Sequence, residues 1–159
     1  MEVIRSKTAK LFEAACQLGA ILAGRPGGEE QELARYGMHL GTAFQLIDDV
    51  LDYSSGSDVT GKRMGDDLAE GKPTLPLIRA LSKAAPDDQA VIRGAIASGG
   101  RDQVDAVLAV IQRTKALEYA RAQAEQETTM AIRAVESLPP SAHRDALIEL
   151  ARFAVERKY

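Results

Sequence analysis

The chain has 159 residues, 45% hydrophobic and 4% aromatic, the size of one ordinary globular domain with room for a real core. Its 20 basic and 23 acidic residues are mixed along the length and leave a net charge of −3, which argues against the one-sided basic field of a nucleic-acid-binding surface. A single cysteine, Cys16, rules out an internal disulfide and fits a reducing cytoplasm, and no apolar run nears the roughly 20 residues needed to span a bilayer.

Residues 2–23 are expected to form a helix, with Ile4, Leu11, Phe12, Ala15, Leu18 and Leu22 at helical spacing and a stop at Gly24-Arg25-Pro26-Gly27-Gly28. The pattern already runs at the first residues, as it would in a chain opened in its middle. A second helix is expected from about Glu29 to Tyr53. The glycine-containing stretch from Ser54 to Gly71 reads as a mobile loop with at most short helical turns. Thr74–Leu81 reads as a short helix, with Pro76 in the first turn where a missing N–H is harmless. Further helices are expected over Asp87–Ala97, Gln103–Ile111, Leu117–Leu138 and Ala142–Arg157, punctuated by Pro86, Gly99-Gly100 and Pro139-Pro140. No segment alternates with the period of a strand, so the fold class is all-α.

The second helix carries the chemistry. At about 100° per residue, Gly37, Gly41, Gln45, Asp48 and Asp52 fall on one stripe and Leu40, Phe44, Ile47 and Leu51 on a neighbouring one. Asp48 and Asp52 therefore lie one turn apart, with Asp49 beside them. Crowded carboxylates repel, and a divalent cation offsets that repulsion; oxygen-only ligands favour a hard ion such as Mg²⁺, held by a few carboxylates together with water and phosphate. Lys62, Lys72 and Lys7 supply compact positive charges for a phosphate group, and Gly61, Gly65 and Gly71 allow close approach of the backbone. Gln45 and Thr8 offer dipoles without strong nucleophilicity. This combination suits ionisation of an allylic diphosphate better than hydrolysis or phosphoryl transfer to a side chain.

The motifs Ser6-Lys7-Thr8-Ala9-Lys10-Leu11-Phe12, Gly41 to Tyr53, Gly61-Lys62 and Asp66 to Leu77 occur in the order found in trans-polyprenyl diphosphate synthases. The chain resembles the C-terminal half of that family, and most of all its long-chain octaprenyl type. The resemblance implies a helical bundle of the isoprenoid synthase type, incomplete because its N-terminal helices are absent, with residues 1–159 forming the C-terminal half of the synthase domain. It implies magnesium on Asp48, Asp49 and Asp52, diphosphate contacts by Lys7 and Lys62 with Lys72 nearby, cation-stabilising roles for Thr8 and Gln45, and Asp67 as a carboxylate behind the metal ligands. The implied substrates are an allylic prenyl diphosphate and isopentenyl diphosphate. The implied assembly is a homodimer or a pairing with the absent N-terminal half.

The family's first aspartate-rich motif has no counterpart here, because no aspartate precedes Asp48. The isolated chain is accordingly expected to be inactive. An alternative of a different class is a noncatalytic helical partner of a complete synthase, against which the retained acids and lysines count. Several residues have plainer readings: Asp66 and Glu70 as loop residues or caps, His39 and His143 as satisfied or surface histidines, and Arg157 and Lys158 as a frayed basic tail.

Overall fold

A computed structural model gives the fold and describes residues 1–54 and 65–157. Every regular element among these residues is helical, as the absence of strand periodicity predicts. No helix among them is long and apolar enough to cross a membrane. By its contacts the chain divides into two compact units, one built from residues 1–47 with 123 onward and the other from residues 48–122.

The first unit opens with α1 (Glu2–Ile4), a π-helical turn (Arg5–Ala9) and α2 (Lys10–Leu22). The sequence predicts one uninterrupted helix here, and the π turn is a departure from it. Gly24, at φ +62°, ends α2, and the N–H of Arg25 returns to the Ala20 carbonyl at 3.0 Å. The next helix, α3 (Gly27–Leu51), begins earlier than expected. Gly27 and Gly28 lie inside its first turn rather than in the break, because the Pro26 carbonyl accepts from Glu29 at 2.9 Å and Glu30 at 3.1 Å.

The rest of this unit comes from α8 (Ala116–Glu136), whose later residues belong to it, and α9 (Ala142–Glu156). Ser141 caps α9 by accepting from the Arg144 N–H at 3.1 Å. The core joins Tyr36 and Leu40 to Ala131, Val135 and Ala151, small residues that let helices approach closely. The Tyr36 hydroxyl donates to the Leu147 carbonyl at 2.8 Å, satisfying its polar end inside that core.

The second unit contains the end of α3, α4 (Asp66–Ala69), α5 (Leu75–Lys83), α6 (Pro86–Ser98), a 3₁₀ turn (Arg101–Gln103), α7 (Val104–Arg113) and the start of α8. Proline opens both α5 and α6 within the first two positions, where the absent N–H costs nothing. Gly99, at φ +64°, closes α6. Tyr53, Leu68, Leu77, Ile92, Val107 and Ile111 form the core of this unit. Burying each large apolar side chain contributes about 1.5–3 kcal/mol.

Candidate functional site

In the second unit the acidic end of α3 meets the chain re-entering at Gly65. The Gly65 N–H donates to the Asp52 carbonyl at 3.0 Å, and the Asp67 N–H donates to Asp52 Oδ2 at 3.2 Å. Gly65 makes this return at φ +80°, a conformation that a side chain would strain. Asp52 is thereby tied to α4 through both backbone and side chain. Burial first, and then the neighbouring carboxylates of Asp67 and Asp66, push the Asp52 carboxyl up from 3.8 to about 6, against the opposing pull of the Asp67 and Asp66 backbone hydrogen bonds.

Asp48 is half-buried, whereas Asp49 is buried, at 5% exposure. The stripe reading treats Asp49 as a flanking member of an acidic face. It lies one turn from the buried Leu46 and is itself packed, away from solvent. Tyr53 is the residue the sequence reading passes over: it is buried, its hydroxyl accepts from Thr74 Oγ1 at 3.4 Å, and burial and the charges of Asp52, Asp67 and Asp49 push its phenol upward. Its position immediately after Asp52 was the available signal.

Lys72 is exposed and engaged with acids. Its Nζ lies 2.7 Å from Glu70 Oε2 and 3.0 Å from Asp67 Oδ1, and these hydrogen bonds hold the ammonium above its ordinary range. Asp67 therefore stands between Asp52 and Lys72, bonded to each. Lys62, and most of the predicted loop around it, lie outside the described residues.

In the first unit, Thr8 Oγ1 donates to Gln45 Oε1 at 2.9 Å. Glycine makes that reach possible: a Cβ on Gly41 would stand 2.7 Å from Ala9 Cα, and one on Gly37 would stand 2.8 Å from Glu13 Cα. The glycines of the α3 stripe are thus a close helix contact, a role that periodicity alone does not reveal. Lys7, the residue before Thr8, is exposed and lines a shallow depression of about 430 Å³ with Glu2, Val3 and Ser6. Arg157 is not a frayed end: its guanidinium lies 4.0 Å from the Phe44 ring centroid and donates to the Phe44 carbonyl at 3.2 Å.

Among the described residues, no group of three His, Cys, Asp or Glu side chains forms a ready-made metal cage. A hard ion that keeps water and phosphate ligands needs only one or two carboxylates. The oxygen-only donors fit such an ion, and the elevated Asp52 carboxyl marks negative charge that a divalent cation would offset.

The polyprenyl synthetase family model matches residues 1–113. The chain belongs to that family. It is 51% identical over its whole length to octaprenyl diphosphate synthase of Haemophilus influenzae, covering 49% of that protein. It is 47% identical, over 99% of its length and 48% of the relative, to the geranyl-diphosphate-specific all-trans-nonaprenyl-diphosphate synthase of Rhodobacter capsulatus. Polyprenyl synthase of Caulobacter crescentus CB15, solved in complex with calcium and isoprenyl diphosphate, superposes with a TM-score of 0.92 at 38% identity, over 99% of this chain and 49% of that one. The fold is thus that of the isoprenyl synthases. The chain spans about half the length of the curated relatives it matches.

Proposed function

We propose that this chain is the C-terminal half of a long-chain trans-polyprenyl diphosphate synthase and carries its second aspartate-rich motif. In this reading Asp48, Asp49 and Asp52 hold Mg²⁺, Asp67 orients Asp52, and Lys7, Lys62 and Lys72 bind the diphosphate of an allylic substrate. Bound there, the metal would neutralise the charge of the departing diphosphate. Thr8 and Gln45 face the allylic cation with dipoles that do not capture it. Isopentenyl diphosphate supplies the double bond that attacks, and proton loss completes each all-trans addition. The pocket for isopentenyl diphosphate lies in the other half of the family's domain, so the 159-residue chain alone does not elongate.

The observation that carries this reading is Asp52, tied to the Asp67 backbone and crowded by acids, at the end of a family-matched helix. Asp67, whose backbone N–H holds Asp52, pairs its side chain with Lys72, so the proposed cation and anion ligands are linked through one residue. The test is calorimetry with a thiolo-diphosphate analogue of farnesyl diphosphate on the chain completed by the N-terminal half of an octaprenyl synthase. Uptake should require magnesium and should fall by about tenfold or more when Asp48 and Asp49 are both changed to alanine. Metal-independent uptake, or turnover indifferent to those changes, would overturn the proposal.

A further inference from the structure

The first helix changes hydrogen-bond register at a single residue. The Arg5 N–H donates to the Met1 carbonyl, four residues back, at 3.0 Å, whereas the Lys10 N–H returns to the Arg5 carbonyl, five residues back. Arg5 is therefore where α-type bonding gives way to π-type bonding, and the π turn that follows contains Lys7 and Thr8. A π turn accommodates an extra residue with poorer bonding than an α turn, so it persists where surrounding groups hold it.

At its C-terminal end the turn is held by Ala9 against Gly41 and by the Thr8 to Gln45 hydrogen bond. At its first residue, Arg5, the hold comes from α8. Glu127 Oε1 accepts from Arg5 Nη2 at 3.2 Å, and Glu127 Oε2 lies 2.6 Å from His39 Nδ1 on α3. The Glu127 side chain is 11% exposed and that of Arg5 47%, so a nearly buried carboxylate anchors a largely solvated guanidinium. Burial disfavours the Glu127 charge, but the hydrogen bond and charge of His39, with those of Arg5, outweigh it and hold the carboxyl below its ordinary range. The anchor is thus charged at neutral pH.

We propose that Glu127 is a positioning residue: through Arg5 it pins the α-to-π switch and so fixes the direction in which Lys7 and Thr8 are presented. The inference rests on the reading of Lys7 as a diphosphate ligand given above. If Arg5 is released, the Lys10 N–H is free to return to the Ser6 carbonyl. The helix on one side of the switch would then rotate relative to the other by about 100°, one residue's share of a turn.

The test pairs titration of the 159-residue chain with magnesium pyrophosphate and the backbone ¹³Cα shifts and amide exchange of residues 5–10. Glu127→Ala and Arg5→Ala should each weaken pyrophosphate binding about tenfold, and the double variant should bind within about twofold of either single one, because both act along one path. The Lys10 amide should change its exchange behaviour in all three variants, a signature that a general loss of stability would not confine to this turn. Should Glu127→Ala fail to fold, Glu127→Gln keeps the volume, removes the charge and is expected to act in the same direction. Unchanged or tighter binding, losses that multiply, or an unaltered register would each overturn the inference. A wild-type chain that takes up no pyrophosphate would overturn the diphosphate reading and this inference with it. A chain whose binding depends on Lys7 but not on Glu127 would overturn the inference alone.

Discussion

Glu127 in the first unit and Asp52 in the second are both acids drawn partly out of water, yet their neighbours have opposite signs. Glu127 faces Arg5 and His39, and its carboxyl sits low. Asp52 faces Asp67 and Asp66, and its carboxyl sits high, at about 6. An acid whose charge is already balanced fixes conformation, because any change in its surroundings uncovers a charge. An acid crowded by other acids is poised to accept a cation. Within one family-matched chain the same functional group is used in both ways, and only the neighbours distinguish them.

The largest expected effect tests how tightly the balanced acid is framed. Gly37→Ala places a methyl group 2.8 Å from Glu13 Cα and 2.7 Å from the Phe12 carbonyl carbon, both backbone atoms that cannot rotate away. Overpacking of this kind should lower stability by about 3 kcal/mol, read as the denaturant midpoint of unfolding. A loss below about 1 kcal/mol would show that the helices near His39 slide freely, and the contrast with the second unit would weaken.

An intermediate effect should come from Asp52→Asn, which removes a crowded charge. The folded carboxyl lies above its unfolded value of 3.8, so its contribution favours the fold at low pH and is lost as pH rises through about 6. The metal-free variant should therefore gain on the wild type by about 1 kcal/mol between pH 4 and 7, the shift being discounted for partial solvent screening. Glu127 has the reverse sign: its folded carboxyl is below 4.5, so its contribution is complete above that value and is lost as pH falls through the folded pKa. Stability curves of wild type and Asp52→Asn measured across this range separate the two acids. Curves that stay parallel from pH 4 to 7 would refute the crowding of Asp52.

The smallest effect belongs to Lys72→Ala. Its ammonium is 45% exposed and pairs with Glu70 and Asp67 at the surface, so its removal should cost under about 0.5 kcal/mol. A thermal-unfolding loss well above that would mean that Lys72 balances the acidic cluster as Arg5 balances Glu127.

Much of this was legible in the chain itself. Gly24, Gly99, Pro76 and Pro86 act locally through backbone geometry, and the helices stop and start close to where these residues require. The match of the α3 motif and of the segment from Asp66 to Leu77 to the synthase family was readable for the same reason, since both are contiguous. What escaped depends on partners far away in sequence. The π turn has no composition of its own, and its anchor, Glu127, lies 122 residues from Arg5. Arg157 reads as a loose end because its ring partner, Phe44, is 113 residues earlier, and its bond to the nearby Ala154 carbonyl leaves no trace in the sequence. Gly37 and Gly41 show the same limit, for a glycine on a stripe does not disclose whether a helix or a ligand fills the space beside it.

The division of the chain also has a consequence for its synthesis. Residues 48–122 form a unit contiguous in sequence, able to condense soon after leaving the ribosome. Residues 1–47 belong to a unit whose remaining portion, from residue 123 onward, emerges only after that second unit. Its core side chains Tyr36 and Leu40 therefore stay uncovered until Ala131, Val135 and Ala151 have been made. Residues 1–47 are thus made well before the residues that complete their core.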